Sequence, residues 1–513
     1  MGLSEHKLIK GTVFLTLAGF LTRIIGFVYK IYLADLLGAH MLGIYQLIFP
    51  VYAICFTIYG AGIQTALSQV IAAAQTRKQG SFHARRLLAA GLCLGLFLSG
   101  ILSVSVYACA DWLALHFVME PALAPYLRIL CILFPFCSTA ACINGYYYGI
   151  QEARIPSLAQ IIEQISRVCF VFLCSFVFSL GSSPKYSCAL AVWGLVVGEV
   201  TACVYSVWHV LRQTIARPLH PVLPRRTHPI GSKHFIRTLL WLSFSLTLTR
   251  LLLSLLHSIE SILLPAMLRQ YGCSASEALS IYGILTGMTL SFILFPSTIT
   301  NSFAVLLLPS IARADAAHNT EGLGRSITQT IKYCLLLGFL FTAVFFLFGK
   351  QLGLIFFHSP QAGDYLMFLS CICPFLYLST TLTSVINGMK KTQVTFFFTI
   401  LTLALKIACL LWIVPFSGIY GYLIGLIFSE ILLALLEMVY LRSYIHLDIW
   451  HWICQPLLWL CILSLPVRIL GQGIAILPLP PSLLLLAQVG LLCLFYPLLL
   501  LLFGIISKKD FAG

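Results

Sequence analysis

Long apolar runs alternate along the chain with short polar breaks that are mostly basic. The runs fall near 12–34, 42–74, 87–110, 123–150, 156–180, 187–211, 236–268, 278–312, 330–349, 363–389, 392–414, 418–441, 452–473 and 482–507. A helix rises 1.5 Å per residue, so roughly 20 apolar residues cross a hydrocarbon core of about 30 Å. Several runs are longer and are expected to tilt or to extend past the membrane. The pattern predicts an all-α integral membrane protein with about fourteen transmembrane helices.

A second order shows in the same pattern. The longest break, about 212–235, is rich in Arg, Pro and His and separates six runs from the next six. Short echoes link the two halves. Leu21-Thr22-Arg23 returns as Leu248-Thr249-Arg250, 227 residues on, and Ile44-Tyr45 as Ile281-Tyr282, 237 on. Pro135-Phe136, Gly149 and Arg167 return as Pro374-Phe375, Gly388 and Lys406, all at 239. Trp193-Gly194 is matched by Tyr420-Gly421. Six is even, so the duplicated halves are expected to be parallel six-helix lobes. Substrate would then bind between lobes that rock against each other. The expected organisation is an N-terminal lobe over 1–211, a basic cytoplasmic linker over 212–235, a C-terminal lobe over 236–445 and two additional helices over 446–513.

Composition agrees with this picture and removes alternatives. Hydrophobic residues make up 60% of the chain and charged residues 9%, with a mean hydropathy of +0.98. Soluble domains carry about 25% charged residues, so little remains for a soluble catalytic or ATP-binding domain. No G-x-x-x-x-G-K-[ST] phosphate loop occurs, and no enzymatic activity is expected. Transport would need a gradient, a potential or another protein to drive it. The first apolar run contains Arg23 and Lys30 and has no small-residue cleavage pattern, so it is expected to be a retained helix. The eighteen cysteines are scattered, without metal or disulfide spacing, and read as packing residues. No metal and no cofactor is expected.

Charge placement orients the runs. With the N-terminus in the cytoplasm, 21 of the 31 Lys and Arg fall in cytoplasmic loops and tails, and three, Lys185, Arg269 and Lys350, fall outside. That bias follows the positive-inside rule. It accounts for the net charge of +15 through anionic lipid headgroups at the cytoplasmic loops, with no nucleic-acid partner. Both termini are expected in the cytoplasm of a bacterial cell, with the chain acting as a monomeric transporter unit.

The charges inside the runs are the candidate chemistry. Arg23 lies near the middle of the first run, where a cation costs about 2.5–3.5 kcal/mol unless it faces a bundle interior or a wet cavity. Lys30, two turns on, shares its face but lies near the run's end and can snorkel. Arg250 is the repeat mate of Arg23, followed by His257 and Glu260. Glu163 and Arg167 are spaced i, i+4, which favours an intrahelical salt bridge. Lys406, the repeat mate of Arg167, has Thr402 where that acid would stand. It needs a partner from another helix, a lipid phosphate or the substrate. Glu199 and Glu430 lie in the sixth and twelfth runs, where they can pair with a cation or carry a coupling proton. Pro50, Pro135, Pro296 and Pro374 are candidate kinks. The repeat-related charges, 23 with 250 and 167 with 406, are cations. A cavity lined by them attracts a phosphate or diphosphate, and the guanidinium fork suits such an anion.

The sequence resembles the stage V sporulation protein B and polysaccharide-biosynthesis branch of the multidrug/oligosaccharidyl-lipid/polysaccharide exporter superfamily. The resemblance is carried by Lys10-Gly11-Thr12, Thr22-Arg23-Ile24-Ile25-Gly26-Phe27, Gly43-Ile44-Tyr45 and Gly145-Tyr146-Tyr147-Tyr148-Gly149. It continues through Pro156, Gln160, Glu163-Gln164 and Arg167, then Thr249-Arg250, Glu260, Phe295-Pro296-Ser297, Leu308-Pro309-Ser310-Ile311 and Lys406. It implies a fourteen-helix bundle that flips an undecaprenyl-diphosphate-linked sugar, a peptidoglycan precursor among them, to the outer leaflet. In the related lipid II flippases, arginines of the first, second and eighth helices line a cationic cavity. The first-helix arginine maps onto Arg23. A second, six residues on, falls at Tyr29 beside Lys30, and the second-helix arginines fall near Cys55 and Phe56. Those differences favour the sporulation and polysaccharide branch.

The expected function is therefore a flippase for a lipid-linked oligosaccharide or peptidoglycan precursor. Arg23, Arg250 and Lys406 would hold the diphosphate, with Lys30 and Arg167 as further candidates. Glu163, Glu199, Glu260 and Glu430 would balance charge or couple an ion. The alternative is an ion-coupled small-molecule or multidrug exporter, in which one of these acids carries the coupling ion. A membrane transferase or scaffold would need a large outer loop with paired acids, which the sequence lacks.

Overall fold

The computed structural model of the chain describes residues 3–75, 80–179, 188–216, 230–302, 311, 320–444, 450–463 and 480–503. Among the described residues every regular element is helical. Twelve helices are long and apolar enough to cross a membrane, and the pair Pro121–Leu130 and Leu133–Gly149, bent by 50°, adds a broken one. Each coincides with an expected run. The thirteenth run, 452–473, is described only to 463. The expected linker (over 217–229) and Leu308-Pro309-Ser310 lie outside the described residues.

The chain packs as two compact units. The first comprises Met1–Tyr29 and Leu36–Ala266, and the second comprises Lys30–Asp35 and Met267–Gly513. One boundary thus falls within the helix Ile230–Tyr271, most of which packs with the first unit. In that unit Gly62–Gln75, Gly80–Ala108 and Phe134–Gly149 pack on one another around Ile63, Leu67, Ile71, Leu87 and Tyr147. Water is no partner in a bilayer, so helices gain by close van der Waals packing over small residues. Gly145 shows the mechanism: a Cβ there would lie 2.5 Å from the Gln64 carbonyl oxygen.

In the second unit Thr320–Phe357 packs on Pro360–Leu369, Cys373–Gly388 and Pro481–Leu502. Gly353 permits that contact, since its Cβ would lie 2.3 Å from the Gly363 nitrogen. The turn at Phe295 and Pro296 interrupts the eighth run, as the proline predicts. Beside that break the Tyr377 hydroxyl donates to the Ile293 carbonyl at 2.9 Å. Asp35 lies 3.6 Å from His358, which ties the 30–35 segment to this unit.

The two units repeat each other in backbone detail. The helix–turn–helix series Ala124–Leu130, Cys131–Leu133 and Phe134–Gly149 ends at the same offset of 239 as Pro360–Leu369, Ser370–Ile372 and Cys373–Gly388. Pro135 and Pro374 sit just inside the last helix of each series, where a missing N–H costs nothing. Among the described residues four non-glycine positions have φ in the left-handed region. They are Met119 (60°), Gln151 (59°), His358 (50°) and Lys390 (59°), two pairs at offset 239. The second and eighth runs each contain a π-turn, Thr57–Ala61 and Ile284–Thr289. Strained conformations kept in register are a stronger sign of duplication than scattered identities.

Candidate functional site

In the first unit a cavity of about 200 Å³ is lined by Tyr52, Glu163, Arg167 and Glu199 among apolar neighbours. Glu163 and Arg167, a turn apart on Arg154–Ser179, form the ion pair that their spacing predicts. Glu199 faces the cavity from Cys188–Ala216. The two helices approach closely at Gly198, whose Cβ would lie 2.9 Å from the Glu163 carbonyl oxygen and 3.2 Å from Arg167 Cβ. The guanidinium therefore lies across a glycine, held against its carboxylate. Its buried Nε has no hydrogen-bond partner among the described residues. The first helix passes the same place: Gly26 lies against Gln164, with its Cβ position 2.9 Å from the amide nitrogen. Arg23, one turn earlier, has an exposed side chain, as does Lys30. Lys30 belongs to the segment that packs with the second unit.

Arg250 opens a polar seam. From Ile230–Tyr271 its Nη1 donates to the Ala61 carbonyl at 2.8 Å. One turn on, Ser254 meets the Thr57 hydroxyl at 2.8 Å. One turn further, the buried Ser258 donates to the Pro50 carbonyl at 3.0 Å. Residues at i, i+4 and i+8 share a helix face, and here that face addresses the π-turn and the proline of the second run. Backbone carbonyls that a regular helix would satisfy are met by side chains instead. The remainder of the Arg250 guanidinium is exposed. Glu260, two residues beyond Ser258, is buried, with His257 at 3.6 Å and exposed.

In the second unit Lys406 is buried and lies 3.8 Å from Glu430. Its partner therefore comes from another helix, Ile419–Tyr440. Ser379 also donates to Glu430, at 3.3 Å. One turn further along the 373–388 helix and two turns further along the 419–440 helix, Thr383 donates to Glu437, a fully buried carboxyl. Sequence reasoning singled out Lys406 and Glu430 and passed over Glu437. The signal was its seven-residue spacing from Glu430, which puts both acids on one face. Tyr52, Ser379 and Thr383 carry no charge and gave no such signal. Among the described residues no group of three or more His, Cys, Asp or Glu is placed to hold a metal ion.

A family model described as "Polysaccharide biosynthesis protein" matches residues 8–314, and one described as MatE matches residues 250–412. Stage V sporulation protein B of Bacillus subtilis (strain 168) is 24% identical over 464 residues, 87% of this chain and 86% of that protein. The lipid II flippase MurJ of the same organism is 21% identical over 407 residues, 75% of this chain and 74% of its own. A solved structure of the lipid II flippase MurJ in an inward closed conformation shares the fold, with a TM-score of 0.66 at 13% identity. That match covers 95% of this chain and 97% of the other.

Proposed function

This chain belongs to the polysaccharide biosynthesis protein family, and from that premise we propose that it flips a lipid-linked oligosaccharide or peptidoglycan precursor. The carrier would be undecaprenyl diphosphate, moved from the cytoplasmic to the outer leaflet by alternating access. The observation that carries this reading is a division among the intramembrane cations. Arg167 is half-buried and Lys406 buried, and they are matched by Glu163 and Glu430. Arg23 and Arg250 are exposed and mark the same motif in the two halves. An exposed guanidinium on a membrane helix is costly unless it faces water or an anion, and a diphosphate supplies the anion bidentately. We assign the diphosphate to Arg23 and Arg250, with Arg167, Lys406 and their carboxylates holding their own units together.

The test is a leaflet-resolved assay in proteoliposomes with a short-chain prenyl-diphosphate sugar. A charge-assisted hydrogen bond is worth about 1.5–3 kcal/mol, so each of Arg23→Ala and Arg250→Ala should weaken flipping roughly 10- to 100-fold. Membrane levels of both variants should match wild type. Unimpaired flipping by the double variant would sink these roles.

A second reading has the MatE match at residues 250–412 and the cavity-facing Glu199 in its favour. In it the protein is an ion-coupled small-molecule exporter. Drug resistance on overexpression that is abolished by Glu199→Gln, with no flipping of prenyl-diphosphate sugars, would select it.

A further inference from the structure

Between Cys373–Gly388 and Ile419–Tyr440 the second unit builds a two-rung ladder. On the first rung Ser379 donates to Glu430, which also faces Lys406. On the second, Thr383 donates to Glu437 Oε1. The rungs differ in one respect. Glu430 has a cation, whereas Glu437 Oε2 is buried without a hydrogen-bond partner, and no cation lies within ion-pair distance of it among the described residues. Glu437 is fully buried. An ionised carboxylate is not tolerated in such a place, whereas the protonated acid needs no counter-ion.

We propose that Glu437 is a proton-binding carboxyl of the second unit, loaded in this conformation and released during the transport cycle. Loading forms one O–H bond on Oε2 with a proton taken from water. Release breaks it, returns the proton to water and leaves one negative charge on the carboxylate. The charged groups around it define the site. Glu430, on its own helix, is the ionisable group whose charge reaches it. The 392–412 helix brings Lys406, held on Glu430. The 373–388 helix brings only the hydroxyls of Ser379 and Thr383. Arg442 and Tyr444 follow in the turn after the helix, and Pro360–Leu369 meets its other end, where Tyr365 meets Tyr420 edge to face.

The duplication argues that the ladder is not required by the fold. Trp193-Gly194 and Gly198 align with Tyr420-Gly421 and Gly425 at offset 227, which places Glu430 and Glu437 over Cys203 and Val210. At offset 239 Ser379 and Thr383 fall on Ala140 and Asn144. The first unit builds the same helices without either acid.

The coupling half of this proposal rests on the flippase reading; the proton site does not. Infrared difference spectra of the purified full chain, taken across a pH step, test the site directly. Wild type should show the carbonyl stretch of a protonated carboxylic acid. Glu437→Gln should lose that band, Glu437→Asp should restore one, and Thr383→Val should move it to higher frequency. The same band in wild type and Glu437→Gln would overturn the site. Proteoliposomes holding a prenyl-diphosphate sugar then test coupling. One proton per cycle lets a gradient of one pH unit shift the leaflet ratio up to about tenfold. Wild type should show that shift, and Glu437→Gln should equilibrate the lipid with no shift. A shift in both, or in neither, would overturn the coupling role. If wild type moves no such lipid at all, the flippase reading fails and the infrared result still decides the site.

Discussion

A cation inside an apolar helix is tolerated in one of two ways: by a carboxylate held close, or by access to water or an anion. The first is seen here on the repeat-related pair Arg167 and Lys406. Arg167 keeps an ion pair whose members are 16% and 23% exposed, so each depends on the other. Removing one partner of a buried pair costs roughly 3–5 kcal/mol, because the other charge is left uncompensated. At this partial exposure the lower end applies, and Glu163→Gln should destabilise the first unit by about 3 kcal/mol. Glu163→Gln/Arg167→Gln should recover part of that loss. Thermal unfolding of the detergent-purified variants measures both, and a single variant that melts with wild type would remove the pair from the list of structural contacts. The pair was legible in the sequence because i, i+4 is a local relation. The partner of Lys406 was not, because Glu430 lies 24 residues away on another helix and only packing brings it to 3.8 Å.

Among elements, the decisive features are breaks rather than helices. The π-turn Thr57–Ala61 opens carbonyls to the 250–254–258 seam. The turn at Pro296 sits where Tyr377 donates to Ile293. The left-handed residues 119 with 358 and 151 with 390 end or begin matched segments of the two units. A non-glycine residue in that region costs about 1–2 kcal/mol relative to glycine. Gln151→Gly and Lys390→Gly should therefore each raise stability by up to about 1 kcal/mol, once the greater freedom of the unfolded glycine is subtracted, and raise the melting temperature with it. Equal gains at both positions would show that the strain is a shared inheritance of the repeat. A loss at either would show that its side chain makes a contact worth more than the strain. Proline positions announced some of these breaks. The π-turns and left-handed residues carried no composition signal, since Thr-Ile-Tyr-Gly-Ala and Gln or Lys are unremarkable in a helix.

For the whole molecule, orientation is the property most directly set by charge. By the positive-inside rule, the 21-to-3 bias of Lys and Arg predicts loops such as 390–391 in the cytoplasm and the region around Lys350 outside. A phosphatase fused after Lys350 should be active and one fused after Lys391 inactive; the opposite result would invert the topology. The sequence alone marked where membrane helices lie, their helical class and the internal echoes, because each follows from local hydropathy or from residues at fixed offsets. It also marked Arg167, Lys406 and Glu430 as costly, since a charge in an apolar run is visible without coordinates, but it passed over Glu437. Only the tertiary structure decided which charges are neutralised and which are exposed. It paired Arg167 and Lys406, gave Arg250 the Ala61 carbonyl as a partner, divided the seventh helix at Ala266, and sealed Glu437 away from any cation among the described residues. Those outcomes depend on contacts between helices far apart in the chain, and hydropathy carries no information about them.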